Sequence, residues 1–175
     1  MVDFAVFIYA KGILMKALLS VLAVISSLWA GDVVSYKQMS LELATVIAQE
    51  AVKTCRERGY QVSAVVVDRS GNLQVALRDV YASRFTTEIA QRKANTVILS
   101  GTDSGVFRKN REDIRQELNH IDGIIVMEGA LPVISGGTLL GAIGVSGAPG
   151  GDKDASCAEA ALKTVEDRLV FASDE

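Results

Sequence analysis

Histidine and cysteine are scarce in this chain of 175 residues, which contains one histidine and two cysteines. A structural zinc site needs four nitrogen or sulfur ligands, so none is expected. The Gly-x-Ser-x-Gly pattern of a nucleophile elbow is missing. The Gly-x-Gly-x-x-Gly pattern that opens a helix in a dinucleotide-binding unit is missing too. These absences leave few candidates for catalysis.

Clusters of basic residues and internal repeats are also lacking, and the formal net charge is −3. Nucleic-acid binding needs a basic surface, so this class of partner is excluded. Apolar residues make up 49% of the chain and charged residues 22%. That balance and this length predict one globular domain with a hydrophobic core.

The first thirty residues have the pattern of a secretory signal peptide. Lys16 precedes an apolar stretch from Ala17 to Ala30, and polar residues follow. This stretch is short for a bilayer span, although an uncleaved membrane anchor is the alternative. Met15 is the expected true start. We therefore predict a signal peptide (residues 1–30), a linker (31–39), a domain (40–171), and a periplasmic or secreted location.

Helices are predicted at both ends of the domain. Ser40 can cap the first helix, which Gly59 ends, and Asp152 can cap the last. The two cysteines, Cys55 and Cys157, lie in these helices. If the helices pack antiparallel, the cysteines can form a disulfide in an exported protein. The alternative is two buried thiols that act as small apolar residues.

Five strands are predicted between these helices, at residues 62–67, 73–77, 124–127, 131–134 and 139–145. The turn Asp68–Asn72 makes a hairpin of the first two, with Gly71 in a left-handed conformation. Thr86 or Thr87 can cap a central helix that runs to about Leu99. Residues 108–119 form a short, charged, exposed helix. Tight turns imply an antiparallel sheet, so the fold class is α+β, with the terminal helices on one face of the sheet.

The most distinctive segment is Gly136–Asp152, which contains seven glycines around one apolar strand. A glycine-rich loop before a helix can present backbone N–H groups to an anion. Its spacing fits no nucleotide template, and its antiparallel setting argues against a phosphate cradle. Close strand packing and the turn into the last helix are the preferred explanation for these glycines.

Five residues are candidates for ligand binding. His120 can ligate a metal or haem iron, or it can be a surface group at a helix end. Arg92 and Lys93 on the central helix can pair with ligand carboxylates, or they can form a solvated helix face. Thr102 and Ser104 follow that helix, where hydroxyls can bind a ligand or form turns.

The chain resembles the GlcG/HbpS-type haem-binding family, which is related to the C-terminal domain of PduO-type cobalamin adenosyltransferases. The resemblance spans residues 40–169 and rests on four segments: Asp68–Asn72, Arg92–Ala94 with Thr96, Ile121–Gly123 and Gly141–Asp152. It implies a profilin-like α/β/α sandwich with a five-stranded antiparallel sheet.

The resemblance also implies homo-oligomers and haem binding, and in some members haem degradation or a partnership with a membrane sensor kinase. A hydroxyl ligand to haem iron, found in one branch of the family, corresponds to Ser104 or Thr102. Haem propionates would meet Arg92 or Lys93. Ala130 stands where relatives have glycine, and we expect it to narrow a site there.

Three functions remain open from the sequence. The first is an exported haem-binding protein, with a degrading or sensory role. The second is an enzyme or binder for a small organic acid, with His120 or a carboxylate as base. The third is a non-catalytic oligomeric interaction module, in which the glycines pack between protomers.

Overall fold

The computed structural model describes residues 34–171 and divides the chain after Tyr36, so the fold is that of the unit beginning at Lys37. The predicted signal peptide and the first residues of the predicted linker lie outside the described residues. In the described residues, no helix has the length and apolarity needed to cross a membrane.

Six α-helices and four β-strands are found between residues 34 and 171. In chain order they are α1 (Leu41–Glu57), β1 (Ser63–Asp68), β2 (Leu73–Arg78), α2 (Phe85–Ser100), α3 (Ser104–Asn110), α4 (Arg115–Leu118), β3 (Ala130–Ser135), β4 (Thr138–Ser146), α5 (Gly151–Thr164) and α6 (Glu166–Phe171). A short 3-10 helix, Glu112–Ile114, separates α3 from α4. The charged segment predicted as one helix is therefore broken.

The sheet has the order β2-β1-β4-β3, and every neighbouring pair is antiparallel. The α+β class and the antiparallel sheet are confirmed, but the sheet has four strands, not five. The predicted strand at residues 124–127 is wrong. Its backbone groups bond to α2 and to side chains: Ile125 N–H to Arg92 O, and Val126 N–H to the Asn119 Oδ1. No neighbouring strand is needed to satisfy them.

Helices cover both faces of the sheet. One core cluster joins α1 and α5 to one face, including the fully buried Ile47, Ile143 and Ala158. A second, smaller cluster places Ala90, Ala94 and other residues of α2 on the opposite face. The predicted packing of the terminal helices on one face is therefore correct.

Local signals at the element ends were partly correct. The Ser40 hydroxyl accepts the Leu43 N–H at 3.2 Å, as an N-cap should. Gly71 has φ +83° in the hairpin turn. The predicted Thr86/Thr87 cap is wrong, because α2 begins earlier and both hydroxyls bond to Ser63 Oγ, at 2.8 and 2.9 Å.

The start of the last helix also differs from the prediction. Gly150 is the N-cap of α5, and Asp152 lies in the first turn. There a carboxylate favours the helix dipole. Ala158 and Ala161 are buried on one face of α5, which ends before Val165, and α6 follows.

Cys55 and Cys157 form a disulfide that joins α1 to α5. Both residues are fully buried, and their Cα atoms are 5.5 Å apart. The alternative of two free buried thiols is therefore wrong. The bond closes a loop with a sequence separation of 102 residues, across the middle of the domain.

Two strand glycines let backbone segments approach closely. A Cβ on Gly144 would collide with the carbonyl oxygen of Ala90 in α2. A Cβ on Gly141 would collide with the carbonyl oxygen of Val67 in the neighbouring strand. These glycines serve packing inside this chain, as the preferred explanation proposed.

Candidate functional site

The irregular segment, defined as residues 123–129, contacts Arg92 and Lys93, and it is bonded to Asn119, the neighbour of His120. It runs beside α2 and leads into β3. Thr96 Oγ1 donates to Ile125 O at 2.8 Å, and Asn95 Nδ2 donates to Gly123 O at 2.9 Å. The segment is thus fixed to the helix that carries Arg92 and Lys93.

Arg92 contacts the irregular segment through its backbone, since its carbonyl accepts the Ile125 N–H at 3.2 Å. Its guanidinium pairs with Glu88 one turn earlier, at 2.6 Å, and both side chains are exposed. Exposed pairs of this kind contribute little stability. The Arg92 side chain is therefore accessible, but it already has a partner.

Lys93 is buried, so the solvated helix face predicted for it is wrong. Its side chain is 1% exposed, and the Nζ lies 2.8 Å from Asp154 Oδ2 and 3.0 Å from Val145 O. Asp154 Oδ1 also accepts the Ala148 N–H at 2.9 Å. Burial raises the pKa of the Asp154 carboxyl, and the Lys93 ammonium opposes this shift. The pair links α2, the end of β4 and α5, and it holds the Lys93 ammonium in the interior.

Gly129 makes room for this buried pair. It has φ +129°, and a Cβ there would lie 2.6 Å from Lys93 Nζ. Ala130, which follows, is fully buried among the residues packed under α2. It lines none of the three clefts described below, and the expectation that Ala130 narrows a binding site stays a prediction.

The two candidate hydroxyls differ in availability. Ser104 is fully buried at the start of α3, and its Oγ accepts the Ala130 N–H at 2.9 Å. This bond ties α3 to the end of the irregular segment. Thr102 is half-buried, and its hydroxyl has no hydrogen-bond partner among the described residues. A ligand can therefore reach Thr102 but not Ser104.

His120 is exposed just beyond α4, and its imidazole makes no hydrogen bond within residues 34–171. Its neighbour Asn119 holds the irregular segment, because Asn119 Oδ1 accepts the Val126 N–H at 2.8 Å. The imidazole is therefore free to ligate, beside a segment whose backbone is fixed.

Two clefts meet at Glu128, whose side chain lies against Gly105 of α3 and whose backbone lies against Gly151 of α5. The first, which we name the arginine cleft, measures about 250 Å³ and is lined by Arg108, Arg115, Asn119, Val126, Met127 and Glu128. The second is acidic and measures about 410 Å³, with Asp103, Glu128, Asp152 and Glu159 among its lining residues.

A third, apolar groove of about 640 Å³ runs along the edge strand β3, between it and helices α5 and α6. Its lining includes Pro132, Ile134, Leu162 and Val170, together with one cation, Lys163, and two carboxylates, Glu159 and Glu166. This groove is larger than the other two clefts, and none of the five predicted residues lines any of the three.

Sequence reasoning missed Asp154, Arg108 and Arg115. One signal was present for the buried pair: Lys93 lies three residues after Ala90 and four before Val97, on the apolar stripe of α2. A lysine in that position must find a buried partner. No comparable signal marks the arginine cleft, because the break between α3 and α4 brings its arginines together.

Comparisons with known proteins agree with this fold. A family model described as "Haem degrading protein HbpS-like" matches residues 39–163. Protein GlcG of Escherichia coli is 28% identical over 108 residues, which cover 62% of this chain and 81% of GlcG.

Two solved structures extend the comparison. A double Glu-to-Asp mutant of HbpS from Streptomyces reticuli is 33% identical, with a TM-score of 0.73 over 78% of this chain and 92% of that one. A PduOC:heme complex is 22% identical, with a TM-score of 0.64 over 73% of this chain and 94% of that one. At this identity the second likeness concerns the fold alone.

Proposed function

Because this chain belongs to the HbpS-like family of haem-degrading proteins, we propose that it binds haem. The match of the family model over residues 39–163 is the observation that carries this proposal. Haem would be held near the irregular segment, beside the accessible residues Arg92 and His120. The second helix, the loop at residues 100–105 and the segment itself would form its surroundings.

The residues in this region fit haem as a ligand. Haem needs an axial donor, an apolar surface and cations for two propionates. The free imidazole of His120 and the hydroxyl of Thr102 are the available donors. Met127 is 44% exposed and offers an apolar, polarisable contact. Arg108 and Arg115 are cations beside it. When bound, haem would supply the redox and oxygen chemistry of its iron.

Hemin titration followed by Soret absorbance tests the proposal. We expect a saturable band at one haem per chain, and binding tighter than to an unrelated acidic protein. Replacing the axial donor should shift the band, so His120→Ala and Thr102→Val are compared with each other. Binding no tighter than to the unrelated protein would overturn the proposal.

We also propose that the protein is exported, to the periplasm or beyond. The Cys55–Cys157 disulfide supports this, because disulfides form and persist in oxidising compartments. Cells quenched in acid and denatured before thiol labelling should yield both cysteines oxidised. Free thiols in freshly lysed cells would contradict export.

Assembly into homo-oligomers is a further part of the proposal. The apolar groove beside the edge strand β3 supports it, because edge strands and apolar surface both favour association. Sedimentation velocity of the wild type and of Ile134→Lys tests it. Monomeric wild type at micromolar concentration would count against assembly. Haem degradation and a membrane sensor partner stay predictions that rest on the family resemblance alone.

A further inference from the structure

The arginine cleft contains two guanidinium groups that have no partner among the residues that the structure describes. The chain has ten arginines, all between residues 34 and 171. Eight of them contact a side chain, a carbonyl, a ring or an opposite charge. The guanidinium groups of Arg108 and Arg115 make no ion pair or hydrogen bond with the described residues, yet both residues line one cavity.

The walls of this cleft are tied together. The Ser104–Ala130 bond fixes the start of α3 to the irregular segment, and the Asn119–Val126 bond fixes the end of α4 to it. Arg108 lies on α3, and Arg115 begins α4. A ligand would therefore enter a cleft whose backbone is already arranged, which reduces the entropy lost on binding.

The charged residues that line the cleft indicate which charged group a ligand would carry. Two arginines face one carboxylate, that of Glu128, so the cleft carries a net charge of about +1. This balance favours a single carboxylate group over a doubly charged phosphate. Guanidinium groups suit carboxylates because their N–H groups match both oxygens.

The apolar wall of the cleft indicates what the rest of the ligand, beyond its carboxylate, would be. Val126 is buried at 2% exposure, whereas Met127 is 44% exposed, and both line the cleft. A carboxylate seated between the arginines would place the rest of its molecule against Met127. An apolar body suits this contact, because burying a polar one without partners is unfavourable.

We propose that Arg108 and Arg115 form a carboxylate clamp for a ligand that joins one carboxylate to an apolar body. Two sources have this chemistry: a propionate of haem, in which case the clamp rests on the proposed function, and a free apolar organic acid. The clamp assigns the carboxylate contact to these residues and not to Arg92 or Lys93.

Hemin and hemin dimethyl ester distinguish the clamp from other haem contacts, since the ester has no carboxylate. We expect the wild type to bind hemin about tenfold or more tightly than the ester, from charge-assisted hydrogen bonds. Arg108→Gln/Arg115→Gln should abolish this preference. Arg111→Gln is the matched control, because Arg111 lies between them but pairs with Asp113.

Hexanoate, followed by NMR shifts of the protein, tests the second source. If the wild type fails to bind hemin but binds hexanoate, and the double variant loses that binding, the clamp stands and the haem proposal falls. If the wild type binds hemin and the ester equally well, and the double variant binds hemin with unchanged affinity, the clamp is wrong and haem binding stands. If the variants affect neither ligand, the clamp is wrong.

Glu128→Gln is a second variant that tests the clamp if the double variant folds poorly. This change raises the net charge of the cleft, so it should strengthen binding of hemin or hexanoate a few-fold without adding a new contact. Unchanged or weaker affinity in a folded Glu128→Gln protein would overturn the clamp.

Discussion

Replacing Cys55 and Cys157 together with alanine removes the cross-link between α1 and α5. The bonded residues are separated by 102 positions. In the chain-entropy account, a cross-link that closes a loop of about 100 residues stabilises a protein by about 4.7 kcal/mol. Since domains are stable by about 5–15 kcal/mol, the variant should lose between about a third and nearly all of its stability.

Urea unfolding followed by far-UV circular dichroism measures this loss. With a slope of about 2 kcal/mol per molar urea, the midpoint should fall by roughly 2 M. Wild-type protein reduced in urea and refolded with its thiols blocked is the control, and it should unfold at a midpoint close to that of the variant. Both cysteines are fully buried, so dithiothreitol without urea should leave the bond intact.

A stability loss below about 1 kcal/mol would refute this reasoning, because it falls far under the loop-closure value. Rapid reduction of the native protein without urea would refute the burial argument. Either result would also weaken the support that the disulfide gives to export.

Three further predictions concern the packed interior. Asp154→Ala leaves the Lys93 ammonium buried without its counterion and should lower the free energy of unfolding in urea by about 3–5 kcal/mol, whereas Lys93→Met/Asp154→Leu should recover most of that stability. A loss under about 1 kcal/mol in the single variant would contradict this. Gly144→Ala drives a Cβ into the backbone of α2 and should cost about 1–3 kcal/mol or more, with a weakened near-UV circular dichroism signal; an unchanged midpoint would contradict it. The hydrogen bond from Arg56 lowers the pKa of Asp79, so this carboxylate stabilises the fold above its unfolded pKa of about 3.9, and the stability is lost as the pH falls through the lower folded pKa. Asp79→Asn should therefore make the free energy of unfolding fall less steeply at acid pH, and an unchanged acid dependence would contradict this.

Most of the fold could be predicted from the sequence because its signals are local. The hairpin at Asp68–Asn72 needs only a turn with Gly71 at φ +83° between a valine-rich strand and the strand that returns beside it. The first helix needs only the Ser40 cap and a regular apolar stripe. Each of these elements is decided within about twenty residues of chain.

The extra strand shows where local pattern fails. Residues 124–127 are apolar, and a short apolar run does not distinguish a strand from a buried irregular segment. The side chains of Thr96 and Asn119 decide the outcome, since they satisfy the backbone groups that a neighbouring strand would otherwise bond. Such partners are visible only in three dimensions.

The positions of the candidate residues could be predicted from the sequence better than their contacts, and their role in binding stays a prediction. Arg92, Ser104 and His120 do gather around one segment, through Ile125, Ala130 and Asn119. Their roles depend on partners far along the chain, as Lys93 does on Asp154, 61 residues away. A pairing at that separation leaves little trace in the sequence apart from the position of Lys93 on an apolar stripe.

Haem binding is the central claim, and a native mass spectrum of protein purified from its own host under haem-replete growth tests it most directly. The account predicts chains that carry the added mass of one haem each, released on denaturation. Protein recovered entirely at the mass of the bare chain, or carrying a different small molecule, would contradict it.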